Sequence, residues 1–123
     1  MEALVYAALA GDATLAATFG DRVYPVLKPQ HAALPAITYQ RISGIVVGDI
    51  TDGCQLQNAR FQIDLWSKQY PEIHGATLQA VVDAMQASSD FKSYVLTPPL
   101  DDYEVDTEQF RVTIDFSVWE RNT

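Results

Sequence analysis

A chain of 123 residues, 48% of them apolar, can build one real core and is too short for two ordinary domains. Eight basic residues against sixteen acidic ones leave a formal charge of −8, which argues against ordinary non-specific nucleic-acid binding, where Lys and Arg must neutralise phosphates. No stretch is long and apolar enough to span a bilayer, the amino terminus lacks a secretory signal, and the single Cys54 excludes an intrachain disulfide, so a soluble cytoplasmic protein is expected.

Residues 2–18 are rich in helix formers, with Leu4, Val5, Ala8 and Leu9 forming an apolar stripe. Gly11-Asp12 interrupts them, and Asp12 is suited to cap a second short helix running through Ala17. Phe19-Gly20-Asp21 reads as its stop. Arg22 to Leu27 is a short extended piece that Pro25 confines to an edge or a strand end. A loop over 28–35 leads to a strand, Ala36 to Ser43.

Residues 44–57, GIVVGDITDGCQLQ, contain three glycines yet carry Ile45, Val46, Val47 and Ile50. They suit a hairpin that extends the flanking strands and turns near Asp52-Gly53. Two readings stand: an arm whose apolar side chains meet a partner, or an arm folded back on its own domain.

Residues 60–68, RFQIDLWSK, alternate cleanly, with Phe61, Ile63 and Leu65 on one face. The closing stretch QFRVTIDFSVWER, residues 109–121, carries the strongest alternation in the chain, with Phe110, Val112, Ile114, Phe116 and Val118 on one face. If the two pair antiparallel with Ile63 opposite Val112, then Asp64 meets Arg111 and Arg60 meets Asp115. Between them, Tyr70-Pro71-Glu72 opens a helix through Ala87, with Leu78, Val81, Val82 and Met85 inward. Tyr94 to Leu100 is extended, and the acidic residues 101–109 form a turn or short hairpin. The sum is an α+β domain over 1–123: a mostly antiparallel sheet of four to five strands, one long helix on one face and a helical N-terminus.

Little in this order asks to be an active site. His31 and His74 have no partner at metal-ligand spacing, and Cys54 has no activating base nearby in sequence. The acidic run Asp101, Asp102, Glu104, Asp106, Glu108 lacks the glycine turn and ligand order of a calcium loop, so a solvated turn is expected. No phosphate-cradling loop or Gly-x-Ser-x-Gly elbow is present, and no catalytic residue, metal or cofactor is expected. Trp66 and Trp119 fall on the polar faces of their strands. Trp66 reads as structural, while Trp119 suits a subunit interface and a structural cap equally.

The ordered set GDRVYP, LPAITYQRIS, ARFQIDLWSKQYPE and FRVTIDFSVWER resembles the tail completion or tail terminator proteins of long-tailed phages and prophages. The resemblance covers nearly the whole chain, and its specificity lies in the joint order of these pieces. It implies a structural subunit that forms a homo-oligomeric ring, typically a hexamer, at the head-proximal end of the virion tail. Such a ring stops polymerisation of the tail tube protein and joins the head–tail connector protein, while DNA passes through without specific binding. Ile45, Val46, Val47, Ile50 and Trp119 are the expected interface residues, and the acidic balance suits a channel that must not hold phosphates. A neck or head–tail joining subunit, or a small ligand-binding α+β domain, is the alternative.

Overall fold

The computed structural model describes residues 2–28, 33–48 and 55–122, with backbone alone at 45–48, 55, 56, 121 and 122. Two short helices come first, α1 (Glu2–Ala10) and α2 (Ala13–Phe19). Asp12 separates them by local chemistry: its Oδ2 accepts from the Leu15 N–H at 3.0 Å, satisfying one of the donors a helix start leaves open. Helix α2 runs slightly past the alanines, to Phe19, whose side chain is buried, and Gly20 takes a φ of 59. With its ψ at −127 this is a positive-φ stop, but not the left-handed helical one.

The strands are β1 (Val23–Pro25), β2 (Ala36–Gly48), β3 (Gln55–Ser67), β4 (Lys92–Val95), β5 (Leu100–Glu104) and β6 (Gln109–Asn122). They form one six-stranded sheet in the order β1-β2-β3-β6-β4, with β5 also on β6. Strand β1 is an edge, as Pro25 requires, and among the described residues is the one parallel strand, set beside β2 with Val23 opposite Ile37. The sixth strand arises because residues 100–104 pair with 109–113 as the outer arm of a short hairpin.

Strands β3 and β6 do pair antiparallel, but two residues away from the register that maximises charge pairs. Ile63 lies opposite Ile114, and Asp64 and Arg60 lie opposite Thr113 and Ser117. A slip of two keeps every side chain on its face, so the pattern of alternation cannot distinguish the two registers; only a slip of one is forbidden by burial. Thr113 donates to Asp64 at 2.6 Å, and Arg60 reaches diagonally to Asp115, its Nε at 3.0 Å. Arg111 turns instead to Asp102 on β5, at 2.7 Å.

The expected long helix is two pieces. Tyr70–Ile73 is a single 3-10 turn, and α3 runs over Ala76–Ala87. Gly75, with φ 61, breaks the path between them, a conformation that glycine adopts without the Cβ penalty. Val81, Ala84 and Met85 of α3 join Val5, Leu9, Leu15 and Phe19 of the first helices in one core with Phe61, Ile63, Leu65, Val112, Ile114, Phe116 and Val118. All three helices therefore cover the same sheet face. Nearly all these side chains are fully buried, each contributing about 1.5–3 kcal/mol.

Candidate functional site

On the face away from the helices, even-numbered β3 residues and odd-numbered β6 residues make a polar network. Trp66 Nε1 donates to Thr38 Oγ1 at 3.0 Å, Gln62 to Asp64 at 3.2 Å, and Asn58 to Ser117 at 2.8 Å and to the Val118 carbonyl at 3.2 Å. Asp64 and Asp115 are buried by these neighbours despite lying outside the core. The Trp66 ring lies between two cations, Lys28 at 5.0 Å and Arg111 at 5.3 Å from its centroid. Trp66 is thus a local keystone of the network, in line with its structural reading.

The hairpin expected over 44–57 forms in its backbone: β2 and β3 stay paired from Gly44 opposite Ala59 out to Gly48 opposite Gln55. Its turn, Ile50 and Cys54 lie outside the described residues, as does His31. Register places Ile45, Val46 and Val47 opposite Asn58, Gln57 and Leu56. Asn58 is in turn opposite Trp119, and Trp119 opposite Lys92. Ile45, Asn58, Trp119 and Lys92 therefore form one row across four strands, which joins two of the expected interface positions at one end of the sheet. Trp119 is half-buried there. Beside it, Tyr94 and Val95 of the β4 edge are exposed.

The opposite edge offers a different surface. After β1, Leu27 N–H donates to the Pro25 carbonyl at 2.7 Å across Val26, whose φ is 63. This tight γ-type turn is strained for a β-branched residue, by about 1–3 kcal/mol. It turns Val26 (57% exposed) and Leu27 (78%) toward solvent.

A third feature was hidden from the sequence because it needs the β5–β6 register. Tyr103 lies opposite Phe110, with ring centroids 4.7 Å apart, and Tyr70 meets the Phe110 edge at 5.5 Å. Together with Asp101 and Asp102 they line an open pocket of about 400 Å³. Tyr70 stacks on His74 at 3.9 Å and donates to Asp101 Oδ2 at 2.8 Å. That bond, with some burial and the Asp101 charge, raises the Tyr70 phenol above its ordinary value. His74 Nε2 stands 3.1 Å from Asp101 Oδ1, close enough for an ion pair when the imidazole is charged but misaligned as a hydrogen bond. Among the described residues no three His, Cys, Asp or Glu side chains are grouped to hold a metal, and no helix is long and apolar enough to cross a membrane.

These features define a class: an α+β subunit whose distinctive chemistry lies on sheet edges and strand ends, the surfaces by which proteins assemble. The chain belongs to the tail completion protein gp17 family, whose model matches residues 3–121. It is accordingly a structural protein of phage tail assembly. A chain in a structure of the virion of native gene transfer agent (GTA) particle has the same fold, with a TM-score of 0.72 and 21% identity over 99% of this chain and 95% of that one. No protein of curated function matches the sequence.

Proposed function

We propose that the protein is a non-enzymatic tail terminator: whole chains, residues 1–123, join head to tail in a hexameric ring at the head-proximal end of the tail tube. There the ring ends tube polymerisation and presents a surface to the head–tail connector. The family match over residues 3–121 carries this reading. Likeness to a chain of a gene transfer agent virion supports a place in a virion. A closed ring needs two different patches on each subunit, brought together by a rotation that closes. The row through Ile45 and Trp119 with the adjoining β4 edge is one patch, and the β1 edge with Val26 and Leu27 is the other. Ile50, further along the same arm in sequence, is assigned to the first patch. The net charge of −8 fits a channel through which DNA passes without being held.

Light scattering across a concentration series, with and without tube protein, tests the ring. A species near six times 13.6 kDa, with a central hole in electron micrographs, is the expected result. Leu27→Asp and Trp119→Ala are each expected to reduce that species while leaving the unfolding transition in place. A monomer at every concentration, with tube ends present, would overturn the ring.

A further inference from the structure

Strands β4 and β5 lie end to end along one flank of β6. Lys92–Val95 pairs with residues 116–119, Leu96 N–H donates to the Asp115 carbonyl at 2.8 Å, and Leu100–Glu104 pairs with 109–113. Among the described residues β5 has no strand on its other side, so a row of backbone donors and acceptors faces outward. Along β5 the apolar side chains Leu100 (62% exposed) and Tyr103 (44%) are interspersed with the carboxylates Asp101, Asp102 and Glu104, and most of these residues are open to solvent. Such an edge can take a further strand, which gains main-chain hydrogen bonds from the backbone and specificity from pockets for its side chains.

The pocket beside β5 has the chemistry of a cation site. Three rings, Tyr70, Phe110 and Tyr103, converge on it, and aromatic faces attract a desolvated cation. Asp101 is fixed by Tyr70 and approached by His74, and Asp102 is fixed by Arg111, yet both carboxylate side chains remain about half exposed, at 50% and 56%. They are held in place and still face water. Residues 100–109 hold five carboxylates and no base. Asp101 and Asp102 point to opposite faces of β5, so a strand laid beside them is best matched by basic residues on its own two faces.

This chain does not contain such a segment. Its eight basic residues are never closer than six positions apart, so no strand of a second copy brings basic residues to both faces beside Asp101 and Asp102. The occupant is therefore another protein. We propose that β5 and the Tyr70–Tyr103–Phe110 pocket form a docking site for an extended basic segment of a different protein, which adds as an edge strand and seats one Lys or Arg against the three rings. The site stands apart from the row through Ile45 and Trp119, at the other end of the same flank, and does not depend on ring formation.

The probe is a fluorescein-labelled, capped peptide, Thr-Val-Arg-Arg-Val-Thr, whose adjacent arginines fall on opposite faces of a strand, titrated into the full chain and read by anisotropy, with hydrogen exchange to locate it. Expected results are saturable binding that weakens with added salt and slowed exchange at residues 100–104. Tyr103→Ala and Asp101→Asn, both at exposed positions, should each weaken binding by about three- to thirty-fold while the protein still unfolds cooperatively above the titration temperature. Replacing each arginine of the peptide by neutral citrulline should have a similar effect. No binding, protection at residues 92–95 instead, or unchanged affinity for Tyr103→Ala would overturn the proposal. So would equal displacement by spermidine, which would make the pocket a polyamine site. Ring size, measured separately, leaves each of these outcomes with the same meaning.

Discussion

At the scale of single residues, the fold hangs on apolar side chains of β6 and on a few polar contacts that burial makes consequential. Ile114 is fully buried opposite Ile63. Ile114→Asp places an unpaired charge in that core, and loss of cooperative unfolding, read by circular dichroism, is the expected outcome. Ile114→Ala, which leaves only a void, should cost about 2–5 kcal/mol. On the other face, Arg60 is the cation that answers Asp115, whose Oδ1 is buried without a hydrogen-bond partner among the described residues. Removing Arg60 strands a buried carboxylate, so Arg60→Ala should destabilise by about 1–3 kcal/mol, toward the lower end because the Arg60 side chain is 43% exposed. The double variant Arg60→Ala/Asp115→Ala should recover part of that loss in denaturant titrations; strict additivity would show that the pair does not interact. Tyr70 gives a titration test of its contact. Its raised folded-state pKa means that the bond to Asp101 adds stability in full below the ordinary tyrosine value and loses it as pH rises through the folded one. Asp101→Asn should bring that phenol's ultraviolet titration back toward about 10.

At the scale of elements, what the sequence revealed depended on whether the information was local. The Asp12 cap, the Pro25 edge and the alternation of β3 and β6 are each decided within a few residues, and each is present. The β3–β6 register was not legible, because charge pairing across a ladder contributes only about 0.2–1 kcal/mol and two alternating strands fit equally well two residues apart. The break at Gly75 was visible as a glycine but outweighed by the helical pattern after it. The pocket of Tyr70, Tyr103 and Phe110 joins a 3-10 turn to a hairpin, a juxtaposition no periodicity reports. The row from Ile45 to Trp119 likewise required a register, although Trp119 stands out in sequence on the polar face of its strand and Ile45 in an apolar run between glycines. The arm belongs at this scale too. Replacing Ile45, Val46 and Val47 by serine should weaken assembly, read by light scattering, more than it shifts the unfolding midpoint. Normal assembly, or failure to fold, would remove the arm from the interface.

For the whole molecule, the sheet has two unlike flanks, one helix-covered face and one polar face. Contacts between unlike patches are heterologous, and they close into rings or run on as filaments depending on the rotation between neighbours. An assembly protein must limit such growth, and the flank made of β4 and β5 contains a safeguard. Between Leu96 and Leu100 the pairing on β6 advances by two residues while the chain advances by four, so Thr97-Pro98-Pro99 bulges away from the ladder. The prolines have no N–H to offer. An uninterrupted strand along the full length of β6 would be a template on which any extended chain, including a misfolded copy, could zip at many offsets. Cut into landing strips of four and five residues, the flank rewards only short partners in a fixed phase. A tail-assembly subunit can in this way present two short edges and still not seed growth of its own.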